Sequence, residues 1–307
     1  MRIAAAQGHP VWLDPEATTA KVVSAVEQAA SGGVELLAFP EAFLPGYPFW
    51  AILGGVDRLN EPRHAAAYGS YLDASITIEG PQIRLICQAS SDLGVFVYLG
   101  IAERSGGSVY ATLVAIDPTR GVIGTHRKLM PTHGERVIWA PGDGAGLRTH
   151  DVHGLQVGGL NCWENWMPLA RYSLYAQGEQ LHVAVFPGSA FAANTDLARF
   201  IAMEGRVWVL VAAGLLTAAD IPKDHPYHEL IAAKPAGFFN GGSGIVTPQG
   251  TWAIGPVTDS EQLVVADIDP AMVSRARQTF DPAGHYARPD VFDLQVHRRR
   301  PQVTFGD

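Results

Sequence analysis

Short runs of β-prone apolar residues alternate with capped helical segments along nearly the whole chain. That alternation leaves few architectures open besides a layered α/β fold. Residues 3–7 read as a strand, and Asp14-Pro15-Glu16 then supplies an N-cap, a proline at the first helical position and an early acid. Val22, Val23, Val26, Ala29 and Ala30 recur at helical spacing, and Gly32-Gly33 stops the helix. A strand over 34–39 completes a β-α-β opening. A helix over 81–93 follows, then a strand over 95–102 and a hairpin of strands 109–117 and 121–126 around Pro118-Thr119-Arg120-Gly121. The second half repeats the rhythm, with strands over 155–160, 181–186 and 207–213, a helix from Met167-Pro168 to about residue 177, and another near 196–205. Residues 243–247 and 263–268 read as a late antiparallel pair around the Pro248-Gln249-Gly250 turn, before a last helix over 270–279. No repeat and no linker divides the chain, so it reads as one α/β domain over 1–307 with a short tail from about 290.

A chain of 307 residues can build a sizeable core without disulfides or a structural metal. Its 47% hydrophobic and 17% charged residues exclude a disordered protein. The net charge of −8, from 22 Lys and Arg against 30 Asp and Glu, disfavours nucleic acid and anionic membrane surfaces as partners. The one basic cluster, Arg298-Arg299-Arg300, reads as a solvated tail. Cys87 and Cys162 are too few for a disulfide framework or a thiolate zinc site, which fits a reducing cytoplasm. The longest apolar run, 207–219, is too short to span a bilayer, and the N-terminus lacks a secretory apolar stretch.

Several motifs can be set aside. Gly142, Gly144 and Gly146 miss the dinucleotide spacing, and there is no phosphate loop. Gly241-Gly242-Ser243-Gly244 lacks the second glycine of a nucleophile elbow. His225-Pro226-Tyr227-His228-Glu229 is no zinc motif, and Pro226 argues against a helix there. His150 and His153 read as loop histidines on a solvated face, and Cys87 as an inert thiol in a helix.

Three segments deliver a reactive residue to the end of an apolar strand, where α/β folds expose rigidly held groups. They are Phe39-Pro40-Glu41, His126-Arg127-Lys128-Leu129-Met130-Pro131, and Gly159-Leu160-Asn161-Cys162-Trp163-Glu164. Singly, each is more often a surface charge or a buried thiol; jointly they form a pattern. With Pro45-Gly46-Tyr47-Pro48, Glu135-Arg136, Trp139, Gly142-Asp143-Gly144, Met167-Pro168-Leu169-Ala170-Arg171-Tyr172, Asp281-Pro282-Ala283-Gly284-His285-Tyr286 and Arg288-Pro289-Asp290-Val291-Phe292, the chain closely resembles the nitrilase superfamily of carbon–nitrogen hydrolases over essentially its whole length. Trp163-Glu164 after the cysteine resembles the nitrilase branch.

The resemblance implies a four-layer α-β-β-α sandwich and a Glu-Lys-Cys triad on Glu41, Lys128 and Cys162, with the superfamily's additional glutamate at Glu135. It implies hydrolysis of an organic nitrile to the acid and ammonia through a thioimidate and a thioester, with no metal or organic cofactor. A free thiol is only a few per cent ionised at pH 7, about 1.5 units below its pKa, so Cys162 would need Glu41 as base and Lys128 as a fixed positive charge. Backbone N–H groups would add to that field if Cys162 lies at the edge of the Met167 helix. Tyr47, Trp163 and Phe191 read either as walls of an apolar pocket for an aryl, arylacetic or medium aliphatic nitrile, or simply as core. His133 either faces the site or sits in a loop. Relatives imply a homodimer or higher homo-oligomer. The competing readings are an amidase or carbamoylase, a cyanide-degrading enzyme, and a catalytically silent binding module.

Overall fold

The computed structural model describes residues 1–54, 56, 58–188, 192–234 and 238–300. In chain order the first half holds β1 (Arg2–Gln7), α1 (Pro15–Ser31), β2 (Leu36–Ala38), α2 (Trp50–Leu53), α3 (Pro62–Ala74), α4 (Pro81–Leu93), β3 (Phe96–Ser105), β4 (Ser108–Asp117) and β5 (Gly121–Arg127). The second half holds β6 (His150–Val152), β7 (Leu155–Asn161), α5 (Pro168–Tyr175), β8 (Leu181–Phe186), α6 (Ala192–Gly205), β9 (Trp208–Ala213), β10 (Leu215–Leu216), α7 (His228–Ala232), β11 (Phe239–Val246), β12 (Trp252–Thr258), β13 (Gln262–Asp267) and α8 (Ala271–Arg277).

The strands form two mixed sheets. One runs β13-β1-β2-β3-β4-β5, the other β10-β11-β9-β8-β7-β6 with β12 on β11. In each, three central strands are parallel (β1-β2-β3 and β7-β8-β9) and the flanking pairs antiparallel. Period-two alternation sorts side chains by face. Ile3, Ala5, Leu36, Phe96 and Leu113 meet Val157, Leu181, Val183 and Leu210 between the sheets. Ala4, Leu37, Val97 and Val114 turn the other way, onto Val22 and Val26 of α1 and Ile83 and Ile86 of α4. On the far side Ala184, Phe186, Val209 and Val211 pack under Tyr175 of α5 and Leu197 and Ile201 of α6. The result is the α-β-β-α sandwich. Tyr98 spans it, donating its hydroxyl to the Val157 carbonyl at 3.0 Å.

The start of α1 is as read, with the Asp14 carboxylate accepting the Ala17 N–H at 2.8 Å. The late antiparallel pair is not. The Pro248-Gln249-Gly250 turn joins β11 to β12, whereas Leu263 lies in β13, paired with Ala6 of β1 in the opposite sheet. Gly255 and Pro256 interrupt the pattern of β12, and its half-exposed residues give little apolar alternation from which to read a strand. α7 likewise forms where Pro226 argued against a helix, because it begins two residues beyond that proline. His150 lies in β6 rather than in a solvated loop. A Cβ on Gly124 would stand 2.5 Å from its ring. Burial, then Arg120 and Arg148, lower its pKa to about 4. The basic cluster is not wholly solvated either: Arg300 pairs with Asp143 at 3.0 Å and donates to the Thr125 hydroxyl and carbonyl at 3.1 and 3.0 Å.

Candidate active site

Glu41 follows β2 through Pro40. The Phe39 N–H donates to the Tyr98 carbonyl at 2.8 Å, and the Glu41 N–H crosses to the Phe186 carbonyl at 3.2 Å, so the carboxylate hangs where both sheets end. Gly100 makes this possible: a Cβ there would lie 2.0 Å from the Pro40 carbonyl oxygen and 2.7 Å from the Glu41 Cα. Lys128 leaves β5 with its N–H on the Ala111 carbonyl at 2.8 Å and its own carbonyl accepting from Gly142 at 2.8 Å. Glu135 sits in a 3-10 turn, His133–Val137, and its carboxylate reaches back to the Thr132 N–H at 2.6 Å.

These elements close on one buried ammonium. Lys128 Nζ lies 2.9 Å from Glu41 Oε1 and 2.8 Å from Glu135 Oε2, with all three side chains essentially inaccessible. Tyr47 donates its hydroxyl to Glu135 Oε1 at 2.6 Å, and its ring stands edge-on to Trp139 and Phe239. Lys128 is the cation that Glu41 meets, at 2.9 Å. Burial would drive Lys128 to lose its proton, but the Glu41 and Glu135 carboxylates outweigh it and raise the pKa, so the cation is permanent. For Glu41 the balance tips the other way. Burial dominates over the pull of Lys128, Glu135 adds repulsion, and the pKa rises to about 7.

Cys162 follows β7 as the first residue of a second 3-10 turn, Cys162–Trp166, with its backbone in the left-handed region at φ 48°. Its thiol feels the fields of Lys128, Glu41 and Glu135; burial raises its pKa well above the ordinary value, against the opposing pull of Lys128. The resting thiol is therefore protonated. The backbone donor at the sulfur is the Trp163 N–H, not the start of α5, which lies six residues on at Pro168.

The structure thus brings Glu41, Lys128, Glu135, Tyr47 and Cys162 together. Trp163 is placed apart, 51% exposed, with its ring 6.0 Å from that of Trp166. His133 is exposed on the turn beside Glu135. Phe191 lies outside the described residues. Among the described residues no cluster of three or more His, Cys, Asp or Glu is placed to hold a metal ion, and no helix is long and apolar enough to cross a membrane.

The sequence reading quoted Glu164 and His126 as parts of separate motifs and missed that they meet. Glu164 Oε2 accepts the Asn161 N–H at 3.0 Å and meets His126 Nε2 at 2.8 Å, while Oε1 accepts the Leu129 N–H at 2.8 Å. This fully buried carboxylate ties the segment carrying Lys128 to the turn carrying Cys162. Burial alone would raise its pKa, but His126 and the backbone donors hold it below the usual value, so it stays ionised. The polar-x-x-Glu spacing of a capping box, present at both Thr132…Glu135 and Asn161…Glu164, was the available signal.

Residues 2–278 match the family model described as carbon-nitrogen hydrolase. A nitrilase from an unknown prokaryotic organism is 40% identical over 98% of this chain and 94% of its own length. An aliphatic nitrilase of Rhodococcus rhodochrous is 34% identical, covering 97% of this chain and 83% of the relative. A nitrilase of Talaromyces marneffei is 35% identical over 97% and 95%. Among solved structures, a carbon–nitrogen hydrolase superfamily protein of Xanthomonas campestris with an arsenic adduct in its active site superposes with TM-score 0.71 at 18% identity, over 96% of this chain and 99% of that one. A carbon–nitrogen hydrolase of Helicobacter pylori gives 0.70 at 17%, over 94% and 96%.

Proposed function

The chain belongs to the carbon–nitrogen hydrolase family, and on that premise we propose that it is a nitrilase, hydrolysing an organic nitrile to the carboxylic acid and ammonia. Relatives named as nitrilases align over nearly the whole chain at 34–40% identity. The observation that carries the reading is a permanent buried cation held between two carboxylates beside a buried thiol, one carboxylate with its pKa near neutrality.

In this reading Glu41 takes the Cys162 proton as the sulfur attacks the nitrile carbon, and passes it to the nitrogen to give a neutral thioimidate. As a first water adds to that carbon, Glu41 takes one of its protons and gives it to the nitrogen. The tetrahedral hydroxyl then passes its proton through Glu41 to the nitrogen as the C=O forms and the C–N bond breaks, so ammonia leaves and a thioester remains. A second water, deprotonated by Glu41, releases the acid and returns the proton to sulfur. Lys128 and the Trp163 N–H stabilise the charge on the tetrahedral species, and losing one such donor typically costs about 3–4 kcal/mol of barrier. Glu135, oriented by Tyr47 and Thr132, keeps the ammonium in place. A narrow cavity bordered by Glu41, Tyr47, Pro187, Leu216 and Phe239 gives the site an apolar wall.

Cys162→Ala should abolish ammonia release from benzonitrile, phenylacetonitrile and short aliphatic dinitriles while leaving the circular dichroism spectrum unchanged. Activity that survives that change, or that chelators remove and thiol alkylation does not, would overturn the reading. Faster ammonia release from the matched amides would replace it with an amidase. Two free thiols and no disulfide among the described residues support a cytoplasmic enzyme.

The reading includes self-association. Trp163, Trp166, Met167 and Leu169 on and before α5 stand exposed, as do Phe200 and Met203 of α6, the helix packed against α5; exposed apolar surface of this kind marks interfaces. Sedimentation at micromolar concentration should show a dimer or larger assembly that Leu169→Glu weakens; a wild-type monomer would exclude it.

A further inference from the structure

Three fully buried polar side chains that take no part in the scheme above run in line to the Cys162 carbonyl. Asn165 Nδ2 donates to the Cys162 carbonyl at 2.9 Å and the Leu160 carbonyl at 3.2 Å. Its Oδ1 lies 2.8 Å from His182 Nε2, and His182 Nδ1 lies 2.9 Å from Glu179 Oε1. All three residues have no solvent-exposed surface. With both amide hydrogens given to carbonyls, Asn165 Oδ1 must accept, so His182 Nε2 donates to it and Nδ1 faces Glu179 Oε1. Gly158 pairs with His182 across β7 and β8, and a Cβ on it would stand 2.2 Å from Glu179 Oε1, so the glycine makes room for this carboxylate. Arg171 adds a bond to the Asn165 carbonyl at 2.7 Å.

Such a chain costs stability relative to apolar packing, and a broken link leaves a buried polar group unpaired. What it holds is the unusual backbone of Cys162. A trans peptide sends its C=O and the following N–H to opposite sides. With the Cys162 carbonyl drawn to Asn165, the Trp163 N–H is turned to the sulfur. Released from Asn165, that peptide could rotate and take the donor away from the reacting centre.

We propose that Asn165, held by His182 and Glu179, is a positioning residue that locks the 162–163 peptide so that the Trp163 N–H stays aimed at the Cys162 sulfur and the charge developing on the substrate. The proposal rests on the nitrilase reading for its kinetic arm alone. The test uses the full chain in a Cys87→Ser background, so that the titratable thiol is Cys162. Asn165→Asp, near-isosteric but without the amide donor, should lower kcat per titratable thiol about tenfold or more with KM within about twofold. Alkylation of Cys162 by iodoacetamide at neutral pH should slow with it. His182→Gln, whose amide can still donate to Asn165, should keep more activity per thiol than His182→Leu. If the leucine variant does not fold, Asn165→Asp decides. Wild-type kcat and alkylation in folded Asn165→Asp, a loss confined to KM, or equal losses in folded glutamine and leucine variants would overturn the proposal. A parent protein that turns over neither nitriles nor amides sinks the functional reading instead, and the alkylation rates still decide the relay.

Discussion

At Glu41 two demands conflict. The proposed reaction needs Glu41 as an ionised base in a dry site, and burial holds it protonated up to about pH 7. Folded Glu41 keeps its proton between its ordinary value of 4.5 and about 7, whereas the unfolded chain releases it. Its stabilising contribution is therefore complete below about 4.5 and is lost as pH rises through about 7. Wild-type melting temperature should fall between about pH 4.5 and 7 while that of Glu41→Gln stays flatter; superimposable profiles would show that the group does not titrate there. On the same grounds kcat/KM should rise about tenfold per pH unit on the acid side of 7 and level above it. The residue identities were legible because each reactive group ends an apolar run. Tyr47 was legible as an aromatic, but its hydroxyl contact to Glu135 joins positions 88 apart in sequence, which no local pattern encodes.

The two 3-10 turns show how elements share the work. Glu135 and Glu164 each bond the start of their own turn and also a residue of the earlier segment 126–129, so a local cap also serves as a tertiary tie. Glu164→Ala would leave His126 and the Leu129 and Asn161 N–H groups without their buried partner. Breaking such a pair costs about 3–5 kcal/mol, and denaturant unfolding should show that loss with a drop in kcat. Glu164→Gln, which can still accept, should lose less; equal stability in all three proteins would exclude the tie. Elements with a strong period, such as α1, α4 and the β4–β5 hairpin, were readable to within a residue or two. α2, α3 and β12 were not. α2 has four residues, α3 is mostly alanine and polar groups, and β12 is half exposed, so none carries a clear apolar period.

Across the whole molecule the tail returns to the site's own scaffold. Arg300 pins residues near the C-terminus to Asp143 and Thr125, next to Gly142, which bonds the Lys128 carbonyl. We propose that the chain unfolds as one domain, with one thermal transition by near-ultraviolet dichroism and by loss of activity. Arg300→Ala should leave that transition single but speed tryptic removal of the tail; two separated transitions would overturn the proposal, and unchanged cleavage would show that Arg300 is not the anchor.

The sequence by itself determined the alternation of strands and helices, the positions of Glu41, Lys128 and Cys162, and, through the resemblance those segments carry, the sandwich. These rest on local spacing and on which residue ends an apolar run. Only the tertiary structure decided that β13 closes the first sheet rather than pairing with β11, that Trp163 faces outward, and that Asn165, His182 and Glu179 line up behind Cys162. The reason is that strand partners, and hydrogen bonds between buried side chains distant in sequence, are chosen by how the layers stack. A run of residues records that a side chain is polar, and the stacked sheets determine whom it meets.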